Sequence, residues 1–138
     1  MSKWIIADTG AIVAALDRRE PTHAWAAQNF RMLPKPFLTC EAVITEACYL
    51  MRPSKNGEKD VLYLLDQGVL TISFSLAGEV ESIMRLMQKY ADVPMSLADA
   101  CIVRMSELLD GAAVMTLDSD FRIYRRRRNK PIELITVE

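Results

Sequence analysis

Short apolar runs at about 4–7, 37–39, 69–74, 112–117 and 132–137 alternate along the chain with longer segments of helical period at about 10–16, 22–33, 40–51, 57–67, 76–91 and 96–109. That alternation constrains the fold more than any other feature. Apolar runs this short read as strands buried on both faces, and strands separated by helices pair in parallel. The expectation is one domain over residues 1–138, an α/β three-layer sandwich with a mostly parallel central sheet of about five strands between helices. Thr22 after Pro21, Ser75 before Leu76 and Ser96 after Pro94 are expected helix N-caps, and Gly68 and Gly111 are expected C-terminal stops.

With 51% hydrophobic and 25% charged residues, a chain of 138 residues can bury an ordinary core, and disorder is not expected. Met1-Ser2-Lys3-Trp4 runs straight into the first strand and no apolar stretch approaches the roughly 18 residues of a membrane helix, so an uncleaved protein without a membrane span is expected. Cys40, Cys48 and Cys101 are odd in number and form no CxxC, which argues against a disulfide framework or a zinc knuckle and for a cytoplasmic location. The net charge of −1 conceals a segregation: residues 121–130 hold Arg122, Arg125, Arg126, Arg127, Arg128 and Lys130 and no acid. Without those six, 11 cations face 18 acids, so the rest of the chain carries −7. An acidic body beside a basic patch suits a polyanion held near a cation-binding site.

Asp8 follows Trp4-Ile5-Ile6-Ala7 and Asp118 follows Ala113-Val114-Met115-Thr116-Leu117, so both end strands at the carboxyl edge of the sheet, where open α/β sheets place their sites. Glu46 has Ala42 and Val43 a turn before it and Tyr49 and Leu50 a turn after, a charge in an apolar stripe that needs compensation. Asp99 opens the helix that starts at about 96, and Asp120 lies two residues beyond Asp118. Structural explanations stand beside these. Asp8 can cap the next helix, Ser96-Leu97-Ala98-Asp99 has capping-box spacing, Asp118 and Asp120 are common turn residues, and Glu46 can sit in a core ion pair or on a solvated face. His23, the only histidine, is far in sequence from the acids, so histidine acid/base chemistry is not expected. Met84 and Met87 with Ile83, Leu86 and Tyr90 read as the buried side of the helix at 76–91, and Gly10 stands alone, without a phosphate-binding loop.

Taken in order, Asp8-Thr9 after the first strand, Ala42-Val43-Ile44-Thr45-Glu46, Ser96-Leu97-Ala98-Asp99-Ala100 and Thr116-Leu117-Asp118-Ser119-Asp120-Phe121 resemble the PIN-domain family of nucleases. The resemblance covers nearly the whole chain and extends to the toxin components of bacterial toxin–antitoxin pairs. It implies that Asp8, Glu46, Asp99 and Asp118 form an acidic cluster binding Mg²⁺ or Mn²⁺, with Asp120 as a further member, and that RNA phosphodiesters are hydrolysed there. Thr9 and Ser96 match small hydroxyl residues beside the acids, placed to bond a carboxylate, a metal-bound water or a substrate phosphate. A small antitoxin protein and a homodimer are the partners it implies.

The residue types fit that chemistry. Hard divalent cations prefer oxygen ligands, Mg²⁺ commonly taking one or two carboxylates and filling the rest with water and phosphate, and such a cation activates water and offsets charge on the leaving oxygen. Because the Arg run begins just after Asp120, Arg125 and Arg126 are expected to contact phosphates near the scissile bond. A solvated face, or pairing with an acidic inhibitor segment, is the other use of such a run. Two other functions remain open: a catalytically inactive RNA- or protein-binding module of the same fold, and a receiver-like domain accepting phosphoryl on Asp8. The second lacks a paired acid beside Asp8 and an evident lysine after a late strand.

Overall fold

The computed structural model describes residues 4–137. In chain order its elements are β1 (Ile5–Ala7), α1 (Thr9–Leu16), α2 (His23–Met32), β2 (Phe37–Thr39), α3 (Glu41–Leu50), α4 (Gly57–Asp66), β3 (Leu70–Ile72), α5 (Val80–Lys89), α6 (Leu97–Leu108), β4 (Ala113–Met115), β5 (Arg125–Arg126), β6 (Lys130–Pro131) and β7 (Glu133–Ile135). Five strands form one sheet in the order β3-β2-β1-β4-β7, and every pairing in it is parallel. Every residue of β1, β2 and β4 is buried, as central parallel strands with helices on both faces require. The expected α/β/α sandwich is the observed one.

The order of pairing places the site. From β1 the chain steps outward to β2 and β3, then crosses back to add β4 on the other side of β1. Right-handed crossovers therefore put α1 to α4 on one face and α5 and α6 on the other. The reversal makes a crevice beyond the carboxyl ends of β1 and β4, the topological switch point where open α/β sheets bind their ligands. Register is tight there, with Ile5 opposite Ala113, Ile6 opposite Val114 and Ala7 opposite Met115.

Three local expectations change. The helix expected from 76 begins at Val80, because the Ser75 hydroxyl accepts from the Gly78 N–H at 3.4 Å and closes a turn. Met84 is exposed, and the buried side of α5 is Ile83 and Leu86, followed by Tyr90. The basic run, for which the sequence suggests only a short helix or loop, contains an antiparallel hairpin of β5 and β6, turned by left-handed Arg128 and Asn129 with φ 59° and 58°. The chain leading into it is anchored by Phe121 and Tyr124, both fully buried, whose rings stack edge to face at 5.2 Å. Gly68 and Gly111 do end helices with positive φ, 74° and 78°. Among the described residues all three cysteines are free and no helix is long and apolar enough to cross a membrane.

Gly57 opens α4 where it packs under the end of α3, and a Cβ there would overlap the Met51 carbonyl oxygen and carbon. At Gly111 the space is open and only the positive φ opposes a side chain. Gly57→Ala is therefore expected to destabilise the protein by more than about 2 kcal/mol, as a backbone overlap cannot relax, and Gly111→Ala by about 1 kcal/mol. Urea unfolding of the two variants checks the order.

Candidate functional site

Asp8 lies at the end of β1, 5% exposed, in the N-cap position of α1. It makes no capping hydrogen bond. Its carboxylate instead accepts from the Thr116 hydroxyl at 2.8 Å, and Thr116 Oγ1 in turn accepts the Asp118 N–H at 3.0 Å. The β1–β4 register thus joins two acids of the site through one buried hydroxyl. Burial pushes Asp8 up to about 6; the Thr116 hydroxyl and the nearby Thr9 N–H offset part of that, and the charges of Asp99 and Asp118 add to it.

Asp99 stands in the first turn of α6 in a complete capping box: Ser96 Oγ accepts from the Asp99 N–H at 3.1 Å, and Asp99 Oδ2 accepts from the Ser96 N–H at 3.2 Å. The structural alternative for Asp99 is thus realised, and the box aims the carboxylate. Tyr124 donates its hydroxyl to the same Oδ2 at 3.2 Å. Burial holds Asp99 above the ordinary carboxylate range, with bonds from Ser96 and Tyr124 opposing and Asp118 adding to the rise. Tyr124 is itself pushed up, by burial and then by the Asp99 charge, so its hydroxyl stays protonated as a donor.

Asp118 caps a short 3₁₀ turn at Ser119–Arg122, its Oδ1 accepting from the Asp120 N–H at 2.9 Å. Glu46 corrects the sequence reading. The buried stripe of α3 is Val43, Ile44 and Ala47, while Glu46, Tyr49 and Leu50 lie exposed on the adjoining face, so its charge needs no buried partner. That face borders the crevice.

The result is one cavity of about 350 Å³ lined by Asp8, Thr9, Gly10, Glu46, Leu50, Ser96, Asp99, Leu117 and Asp118. Four carboxylates up to 110 residues apart in sequence, from Asp8 to Asp118, share it. Thr9 and Ser96 join them; Asp120, Arg125 and Arg126 do not. Asp120 serves its turn instead, its carbonyl accepting from Ile123 and Tyr124. The Arg125 guanidinium donates to the carbonyls of Arg122, Ile123 and Tyr124 at 2.7, 3.2 and 3.0 Å, and Arg126 reaches Asp110 at 3.1 Å, beyond the far end of α6. Neither arginine therefore lines the cavity of the acids beside which the sequence placed it. Once Phe121 and Tyr124 are buried, the chain runs back along α6 toward the start of β7 and carries the arginines away. His23, also outside the cavity, has Nδ1 2.8 Å from the Ala14 carbonyl at the end of α1.

Two functional residues do not stand out in the sequence. Thr116 is a hydroxyl at the end of a fully buried strand, and a buried hydroxyl demands a partner. Tyr124, three residues after Phe121 in a basic run, is an aromatic anchor with a polar tip.

The cavity suits a hard cation. Its charged lining is carboxylate oxygen alone, and the buried Thr9 hydroxyl has no partner among the described residues; the N-termini of α1 and α6 beside the acids favour the ionised carboxylates that such a cation needs, not the cation itself. Also among the described residues, no three Asp, Glu, His or Cys side chains close into a ready-made cage. An open arrangement of this kind leaves coordination places to water and substrate oxygens.

Residues 5–127 match the PIN domain family. The chain belongs to that family. It is also similar to Ribonuclease VapC26 of Mycobacterium tuberculosis (strain ATCC 25618 / H37Rv), 29% identical over 116 residues that cover 83% of this chain and 86% of the relative. The matched span runs from β1 to the basic hairpin, so it includes every residue of this PIN domain's acidic cavity.

The Asp8 shift sets a pH dependence. Between the ordinary value of 3.8 and about 6, the folded protein keeps a proton that the unfolded chain has released, so metal-free stability falls as pH rises through that window and the loss is complete above it. Asp8→Asn removes this titration. In EDTA near pH 7.5 the variant is expected to exceed the wild type by about 2–3 kcal/mol, a gap that closes toward pH 4. Thr116→Val, which deletes the donor that lowers Asp8, is expected to extend the window upward. Urea titrations across that range measure both.

Proposed function

We propose that this PIN domain is a ribonuclease that hydrolyses RNA phosphodiester bonds at the acidic cavity with the help of Mg²⁺ or Mn²⁺. The observation that carries the reading is the convergence of Asp8, Glu46, Asp99 and Asp118 from four separate elements on one cavity. The designation of the similar mycobacterial protein as a ribonuclease supports it. Asp8, Glu46, Asp99 and Asp118 are the residues that would hold the cation, and Asp120 adds negative charge near Tyr124 without lining the cavity.

A bound divalent cation supplies Lewis acidity toward the phosphodiester and toward the attacking water. The protein's own part is orientation and charge. Thr116 fixes one oxygen of Asp8, and Ser96 and Tyr124 fix one oxygen of Asp99. Ionised Asp8 and Asp99 are the active forms, so activity rises with pH through the window set by Asp8. The Thr9 hydroxyl, without a protein partner among the described residues, donates to a substrate phosphate oxygen or an ordered water. Ser96, already a cap through its hydroxyl, acts mainly by aiming Asp99.

The same reading brings a small antitoxin protein and a second copy of the chain as partners. Tyr49 and Leu50 on α3 and Leu62 and Tyr63 on α4 are each at least half exposed, an apolar surface of the kind that a protein partner covers.

The deciding measurement is cleavage of a labelled RNA with Mg²⁺ or Mn²⁺ and with EDTA. Cleavage is expected with either ion and none with chelator, and Asp99→Asn and Glu46→Gln should each lower kcat/KM by about 100-fold or more, the scale of removing a group that stabilises transition-state charge. Tyr124→Phe keeps the ring stack and removes only the donor to Asp99, so it should cost less and move the acid limb of the pH–rate profile upward. Millimolar Mn²⁺ should raise the melting temperature of the wild type more than that of Asp8→Asn. Cleavage that survives EDTA and both carboxylate changes would overturn the reading.

A further inference from the structure

A second charged cavity, of about 240 Å³, opens beyond the carboxyl end of α6 and is lined by Asp110, Arg126, Arg127, Arg128 and Lys130. Four cations against one acid give it a net charge of +3. Its construction is specific. Arg128 and Asn129 turn the hairpin in the left-handed region, which residues other than glycine seldom enter. The Arg126 side chain is only 18% exposed; it donates through Nη2 to Asp110, and its Nε–H is buried without an acceptor among the described residues. A buried donor left unpaired is costly, and an anion in the cavity would relieve it.

We propose that this cavity binds a phosphate of the RNA strand several nucleotides from the bond that is cut, an inference that rests on the ribonuclease reading above. Helix α6 links the two places: Asp99 is in its first turn and Asp110 follows its end, a separation of about 16 Å along the axis. The strand must enter a cavity of carboxylates on a body that carries −7, so its backbone needs cations elsewhere. A phosphodiester fits this lining better than an acidic peptide does. All five lining residues are charged, whereas peptides seated in grooves are held by apolar anchors, and arginine presents the forked donors that phosphate oxygens accept.

The test compares the wild type with Arg127→Gln/Lys130→Gln, both exposed positions, on a length series of one RNA, with kcat and KM measured for each length and RNA binding measured in EDTA against salt. For the wild type, KM is expected to fall once the RNA is long enough to reach from the acidic cavity to the hairpin. The double variant should lose that fall, keep its kcat, and show a salt slope flatter by about 0.7 for each phosphate that it no longer neutralises. An unchanged length dependence and slope would overturn the proposal, as would an equal loss on the shortest and longest RNAs. So would polyglutamate binding that the variant loses while its RNA binding is intact, which would assign the cavity to an acidic protein segment. If the variant's salt slope flattens but the wild type cuts no RNA, the phosphate site stands and the ribonuclease reading falls.

Discussion

The pairing of β1 with β4 is the constraint on which the site depends. These strands are sequence-distant neighbours held in one register, with the Asp8 N–H donating to the Met115 carbonyl at 3.0 Å just beyond the last paired residues. That bond seats Asp8 next to Thr116 and brings Asp118 to the same rim. Side chains alternate across a sheet, so a slip of a single residue would turn Asp8 to the other face and leave its carboxylate buried among apolar groups with no hydroxyl to meet it. Apolar matching sets the register as well, because every side chain of both strands is buried and a slipped arrangement would repack the core.

Around that pairing the acids are held at an electrostatic cost that the fold spreads over several elements. Asp8 bears most of it through burial, and the Thr116 hydroxyl and the Thr9 N–H at the start of α1 return part of it. Asp99 is oriented from two sides, by the cap of its own helix and by Tyr124, whose ring packs between Tyr90 and Phe121 with centroids at 5.0 and 5.2 Å. Tyr90 also accepts the Arg125 N–H through its hydroxyl at 2.8 Å, so one aromatic cluster fastens both a site carboxylate and the root of the basic hairpin. Opposite charges gather at the two ends of α6, acids at its start and cations past its finish.

Most of this architecture was legible in the sequence, because period and punctuation report burial directly. Each of the five sheet strands and six helices falls where an apolar run or helical period marks it, and the acids after β1 and β4 mark the carboxyl edge. What was not legible depends on rotation or on reversal of the chain. Glu46 shares spacing with both the buried stripe and its neighbour, and only packing of α3 decides that it faces out. Met84 is apolar and at helical spacing, yet α5 turns it to solvent. The arginines lie close to Asp118 in sequence yet outside the cavity that it lines, since two buried aromatics turn the path between them. No apolar alternation marks β5 and β6, whose pairing rests on turn geometry and on the anchor that precedes them.

The strand order also dictates when the site can exist during synthesis. An emerging chain can pair β1, β2 and β3 and form all six helices before β4 has left the ribosome, but the edge of β1 that carries Asp8 then lacks its neighbour. Asp99 and Asp118 lie in the last third of the sequence, and Tyr124 follows both. The acidic cavity is therefore completed only once β4 has joined β1 and Asp118 has followed it. A product that stops short of β4 already holds Asp8, Glu46 and Asp99, but without Thr116 and Asp118 it has neither the hydroxyl that fixes Asp8 nor the fourth wall of the cavity.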